Sequence, residues 1–186
     1  TRIRDVRVVI DLATHDLDVM CFLLRSEPTR VYAETEQRIH TEYEDLAWGV
    51  LRFPDGVIGV LELNWLTPMK IRETLVLGER GLFRVDDLNQ DLYFYENGQA
   101  ADLPWPAFQT LRGVSEGCMI RYPIRRYEPL KAELEAFIGA LRDGKPMPVS
   151  GEDGLAALRL SLALVESGRA HRVVHLEPEV AQDGEG

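Results

Sequence analysis

The fold turns on Asp45-Leu46-Ala47-Trp48-Gly49-Val50-Leu51-Arg52-Phe53, Pro54-Asp55-Gly56 and Val57-Ile58-Gly59-Val60-Leu61-Glu62-Leu63-Asn64-Trp65-Leu66. Two runs rich in β-branched and aromatic residues flank a Pro-Asp-Gly turn, where glycine supplies the positive φ, so the pair predicts a hairpin. Period-two alternation puts Leu46, Trp48 and Val50 on one face of the first strand and Ala47, Gly49 and Leu51 on the other. Both faces are apolar or small. One therefore calls for helices of this chain, and the other most simply for a second copy of the chain.

Strand patterns continue on both sides. Val31 to Ile39, Ile71 to Leu77, Leu82 to Val85 and Leu92 to Glu96 read as further strands, with Thr67-Pro68, Gly78-Glu79-Arg80-Gly81 and Asn97-Gly98 as punctuation. Hairpin-length turns imply antiparallel pairing. Ahead of the sheet, Arg7 to Ile10 reads as a buried strand end, followed by a helix carrying Leu12, Leu17, Val19, Met20, Leu23 and Leu24 up to Ser26-Glu27-Pro28. Asp102 to Pro123 reads as loop from Pro104, Pro106, Gly113, Gly117 and Pro123. A helix is predicted over Pro129 to Leu141, ended by Asp143-Gly144. Another is capped by Ser150 with Asp153, and its body, Leu155 to Val165, is apolar on most sides and expected to be buried. The class is α+β: one large, open, mostly antiparallel sheet of about six strands, helices packed on one face, the other face used for oligomerisation.

The 186 residues suffice for one sizeable core. A net charge of −10 excludes nucleic acid as a general partner, although Arg121, Arg125 and Arg126 could hold one anion locally. No run of 18 apolar residues calls for a membrane, and no apolar segment follows Thr1-Arg2-Ile3-Arg4-Asp5 as in a signal peptide. Thr1 reads as an internal position of a longer chain. Cys21 and Cys118 form no metal or redox pattern, so reduced thiols in the cytoplasm are expected. The acidic end, 177–186, is expected to fray.

No glycine-rich loop follows a strand to open a helix, and no metal-spaced pair of histidines occurs. The dense constellation is Asp11-Leu12-Ala13-Thr14-His15-Asp16-Leu17-Asp18. At α-helical spacing Asp11, His15 and Asp18 share one face, and Asp11 can touch His15. A carboxylate against an imidazole fixes its tautomer and stabilises the imidazolium formed on taking a proton, which suits removal of a hydroxyl proton. The bland alternative is a helix start, with Asp11 or Thr14 as a cap or dipole partner. Arg126 and Tyr127, beside Arg125, could grip a diphosphate or sugar, or lie in a solvated loop. Lys70 and Arg72 read as solvated or interfacial, Trp65 as core at a strand end, and His40, His171 and His175 as ordinary histidines.

Val9 to Asp18 resembles the opening of the C-terminal domain of the Gfo/Idh/MocA family, the glucose–fructose oxidoreductases, inositol dehydrogenases and their relatives. Gly56 with Val57 to Trp65, Lys70 to Gly81, Tyr127-Glu128-Pro129-Leu130 with Glu133, Leu134 and Phe137, and Pro148 to Gly154 resemble later motifs of that domain, in the same order. Arg2-Ile3-Arg4-Asp5-Val6 is closest to the UDP-N-acetylglucosamine 3-dehydrogenase-like branch, and Arg7 stands where relatives often have a small residue. The resemblance implies that residues 1–176 are the substrate-binding and oligomerisation half of a dehydrogenase that oxidises a hydroxyl of a sugar, nucleotide-sugar or cyclitol. It implies a homodimer or homotetramer, with NAD or NADP held by a preceding Rossmann domain that these residues do not contain. By position it makes His15 the general base, Asp11 its partner and Asp18 a substrate-facing acid. The isolated chain is then expected to be inactive. The alternative is a non-catalytic sugar-binding or oligomerisation module of the same fold.

Overall fold

The computed structural model describes residues 7–39, 42–98 and 115–176. Arg2 to Val6, His40, the part of the expected loop between Asp102 and Val114, and the acidic end lie outside them. The α+β class and the antiparallel pairing are as expected, but among the described residues the strands divide into two sheets of four rather than one of six. The division falls at Leu66-Thr67-Pro68-Met69-Lys70, where Asn64 Oδ1 accepts from the Leu66 and Thr67 amides and turns the chain out of the first ladder. Two compact units result, one of residues 1–68 and 137–186 and one of residues 69–136.

In the first unit the sheet order is β3 (Ile58–Asn64), β2 (Leu46–Arg52), β1 (Arg30–Glu36), β8 (Val174–His175), every pair antiparallel. Ala47 and Leu51 face the core while Trp48 and Val50 stay about half exposed, the alternation that the sequence dictates. Helices α1 (Thr14–Leu24) and α3 (Gly151–Ala170) cover the inner face, closing a core of Val9, Ala13, Leu17, Val31, Leu51, Leu61 and Leu164 with their neighbours. Val9 to Ala13, expected as the end of a strand and the start of an α-helix, is a π-turn continuous with α1. The backbone is already helical at Val8, whose amide donates to the Glu44 carbonyl, so the apolar run before Asp11 is buried as helix.

Helix α3 begins with the expected capping box. Asp153 N donates to Ser150 Oγ, and Ser150 N donates to the Asp153 carboxylate. It buries one face, through Ala157, Leu160, Ser161, Leu164 and Ser167, while Leu155, Leu158 and Leu162 remain exposed, contrary to the all-round burial expected. Gly168 permits its close approach to β1, since a Cβ there would lie 2.5 Å from Thr35 Cγ2. His171, in the left-handed region at φ 49°, ends the helix and returns the chain as β8, a strand that sequence reading missed because it is two residues long. Where β8 stops, Ser167 takes over: Ala33 N donates to its Oγ at 2.9 Å and its hydroxyl donates to the Arg172 carbonyl.

The second unit is a meander of β4 (Glu73–Gly78), β5 (Gly81–Asp86), β6 (Asp91–Gly98) and β7 (Ser115–Tyr122). Strand β7 corrects the reading of Asp102 to Pro123 as loop throughout. Gly117 sits against the bulge of β6, where a Cβ would come within 2.7 Å of the Glu96 carbonyl oxygen, so this glycine marks a close backbone approach inside a strand. Phe83 packs on Phe94 with ring centroids 4.7 Å apart. Helix α2 (Pro129–Asp143) starts with proline at its first position and ends before Gly144, at φ 62°.

Candidate functional site

Asp11 and His15 are both exposed on the helix that opens the first unit, and Asp18 is half-buried one turn further on. Opposite them Val9, Ala13 and Leu17 are sealed into the core, so packing of one face dictates presentation of the other. The expected contact between Asp11 and His15 is not formed: no hydrogen bond or ion pair links them. Asp11 lies within the π-turn, whose hydrogen bonds span five residues instead of four, so its direction relative to His15 differs from the α-helical one that the spacing assumed. Neither Asp11 nor Thr14 is a cap, because the helix begins upstream of both and its start carries no side-chain cap; Asp11 lies in the first turn, where a carboxylate complements the helix dipole. Thr14 turns its hydroxyl back onto the Ile10 carbonyl at 2.7 Å, and this oxygen lies 3.3 Å from Ser161 Oγ of α3.

Arg7 does not crowd the start of the helix. Its Nη1 donates to Glu44 Oε2 at 2.6 Å and its guanidinium lies 4.9 Å from the Tyr43 ring centroid. Glu44 is almost fully buried, and its second oxygen has no hydrogen-bond partner among the described residues. Nothing in the sequence pattern distinguished this pair from solvated charge. Nearby, Asp45 is wholly buried and accepts from the Arg38 and Ile39 amides, tying the connection before β2. Trp65 packs partly against the core, as expected.

Arg126 and Tyr127 belong to the second unit, where the turn between β5 and β6 holds them. Tyr127 N donates to Gln90 Oε1 at 2.9 Å, Gln90 Nε2 donates to the Tyr127 carbonyl, and Arg125 lies over the Tyr127 ring. Arg126 Nη2 stands 3.5 Å from Asp91 Oδ1, an oxygen that Arg121 also contacts at 2.7 Å. Arg121, and then Arg126, hold the Asp91 carboxyl below its usual range. Two guanidinium groups on one carboxylate leave a net positive charge there. Lys70 and Arg72 precede β4 rather than lying on it. His171 caps α3 with Nδ1 3.2 Å from Glu34 Oε2, and His175 is exposed on β8.

The chain resembles the C-terminal domain of the Gfo/Idh/MocA oxidoreductases, and residues 3–84 match the family model described as GFO/IDH/MocA C-terminal domain. Myo-inositol 2-dehydrogenase of Thermotoga maritima is 26% identical over 177 residues, 91% of this chain and 49% of that protein. UDP-N-acetylglucosamine 3-dehydrogenase of Acidithiobacillus ferrooxidans is 26% identical over 158 residues, 85% of this chain and 47% of its own length. A solved structure of the latter enzyme superposes with a TM-score of 0.73, at 24% identity, covering 89% of this chain and 48% of that one. The WlbA dehydrogenase of Bordetella pertussis, solved with NADH and UDP-GlcNAcA, shares the fold at a TM-score of 0.60 and 23% identity, over 90% of this chain and 44% of its own. The chain thus spans about half the length of the relatives it matches.

Proposed function

We propose that this chain is the substrate-binding and catalytic-base half of a cytoplasmic NAD(P)-dependent dehydrogenase acting on a hydroxyl of a sugar, nucleotide-sugar or cyclitol. The observation that carries the reading is the helix face itself: Asp11 and His15 are exposed, with no side-chain hydrogen bond or ion pair among the described residues, on a helix whose opposite face is locked into the core. Both face solvent, where a ligand can reach them. His15 removes the hydroxyl proton, Asp11 stabilises the resulting imidazolium electrostatically, and Asp18 accepts from a neighbouring hydroxyl. Within the second unit, taken by itself, Arg126 and Tyr127 are a second candidate binding point, the guanidinium suited to a phosphate or an anionic sugar substituent.

A nicotinamide supplies the hydride acceptor when bound, and the described residues do not fit a dinucleotide. Gly78-Glu79-Arg80-Gly81 is a hairpin turn, and at the start of α3 the Ser150 and Asp153 amides are engaged by the capping box. NAD or NADP is therefore assigned to a preceding Rossmann domain, in line with a chain half the length of its relatives. The names of those relatives, an inositol dehydrogenase and a nucleotide-sugar dehydrogenase, support the substrate class.

The test is His15→Ala in the full-length enzyme. It is expected to lower kcat by about 10² to 10⁴-fold, a barrier increase of roughly 3 to 5 kcal/mol, with little change in melting temperature because the ring is exposed. Asp11→Asn should reduce turnover less than His15→Ala does. If Asp11 serves only the helix dipole, its loss removes about 0.3 to 1 kcal/mol of stability and leaves turnover per folded molecule intact, which would reject the reading.

A further inference from the structure

The π-turn Val9–Ala13 immediately precedes His15, and its hydrogen bonding leaves one carbonyl to account for. In a regular α-helix the Ile10 carbonyl accepts from the Thr14 amide; π geometry directs that amide one residue further back. The Thr14 hydroxyl fills the place, donating to the Ile10 oxygen at 2.7 Å. Ser161, fully buried on α3, has one hydroxyl proton for two acceptors, the Ala157 carbonyl at 2.9 Å and Thr14 Oγ1 at 3.3 Å, and with the Thr14 proton committed to Ile10 it is Ser161 that donates across the contact. It is a polar stop, from a different helix, against the one side chain that satisfies the widened turn. Serine is an unusual choice for a core position among Leu160, Ala163 and Leu164, and this contact gives it a use.

We infer that Thr14, braced by Ser161, is a positioning residue: its hydroxyl maintains the π-turn and thereby sets where Asp11 and His15 project. The turn cannot convert to α-helix cheaply, because Val8 before it, Val9 and Ala13 at its two ends and Leu17 after it are all fixed in the core. A change from five-residue to four-residue spacing would rotate Asp11 about the helix axis relative to His15. With the π-turn in place the two side chains are separate and both reach solvent. Loss of the Thr14 hydroxyl strands the Ile10 carbonyl, and the segment responds by loosening or by changing register. Either response moves Asp11 relative to His15.

The inference rests on the reading of His15 as the general base, so its test carries a control for that reading. In the full-length enzyme, Thr14→Val is expected to lower kcat by about 10- to 100-fold with KM within about twofold, the pattern of a displaced catalytic group rather than of lost binding. Thr14→Ser, which keeps the back-bonding hydroxyl, should restore at least about half of wild-type kcat. A crystal structure of Thr14→Val should show the bonds around Ile10 rearranged. His15→Ala is measured alongside. Should His15→Ala abolish turnover while Thr14→Val retains it, the positioning role is refuted and the base assignment stands. Should His15→Ala turn over normally, the base assignment falls and the inference with it. If Thr14→Val does not fold, Ser161→Ala decides: the brace predicts a kcat loss of about two- to fivefold at unchanged KM, and an unchanged kcat overturns the proposal.

Discussion

Replacing Gly168 by alanine probes how closely α3 lies on β1. The new Cβ would sit 2.5 Å from Thr35 Cγ2, 2.7 Å from its Oγ1 and 3.1 Å from its Cβ. Thr35 is β-branched and its backbone is paired with Ala47, so it has little freedom to swing aside. The helix has to lift instead, and Ser167, one residue earlier, would be drawn off the Ala33 amide it now holds at 2.9 Å. Overpacking of this kind destabilises by about 1 to 3 kcal/mol, while the better helix propensity of alanine returns at most about 1 kcal/mol. With the full 1 kcal/mol returned, a net loss of up to about 2 kcal/mol follows, which for a chain of this size lowers Tm by up to about 8 °C. Urea unfolding followed by far-UV circular dichroism reads it directly. Thr35→Ala in the Gly168→Ala background removes both clashing atoms and should recover about 1 kcal/mol relative to additivity. A Gly168→Ala protein more stable than wild type, or strict additivity with Thr35→Ala, would refute the reasoning.

The outer face of the first sheet carries Trp48, Val50, Ile58 and Val60, all substantially exposed, with Glu34 and Glu62 opposite Trp48 on the adjacent strands. Self-association through this face is expected in sedimentation, and Trp48→Glu, adding a third carboxylate, should weaken it; a clean 21.1 kDa monomer at high concentration would count against the face. Burial raises the Cys21 thiol to about 11, with Glu27 and Asp18 adding to the effect, whereas Cys118 is exposed. At pH 8 an aromatic disulfide reagent should therefore label the exposed Cys118 first and Cys21 far more slowly, since only the thiolate reacts and burial keeps Cys21 protonated; equal rates would contradict the burial. Calorimetric titration of this chain with NAD or NADP should show nothing tighter than about millimolar affinity, and micromolar binding would overturn the assignment of the cofactor to another domain.

The sheet strands were legible because period-two alternation is local: Ala47 and Leu51 inward, Trp48 and Val50 outward, follows from the backbone alone. The capping box of α3 was legible for the same reason. The separation into two sheets was not, since whether β3 pairs with β4 depends on contacts far apart in sequence. Strand β7 was obscured by Gly117, a residue that marks loops in general and here permits one backbone to approach another. At the site, the spacing of Asp11, His15 and Asp18 correctly put them on one helix, but their contact was inferred from ideal α geometry. Thr14 and Ser161 are 147 positions apart, and neither hydroxyl has a sequence signature, so the turn they hold had no local sign.

The hydroxyl of Ser167 also bears on what the protein avoids. Strand β8 covers Arg30 and Val31, and beyond it β1 would present open backbone donors to any extended chain that came alongside. Ser167 occupies Ala33, the next donor on that edge, and Gly168 brings the helix down over Thr35 immediately after it. A helix terminus thus does the work of a longer last strand. Such a cover has no free edge of its own to pass the problem on, as an added strand would have. Ser167→Ala would expose the ladder while leaving the apolar core nearly untouched, so its clearest phenotype is aggregation of folded protein on storage at high concentration.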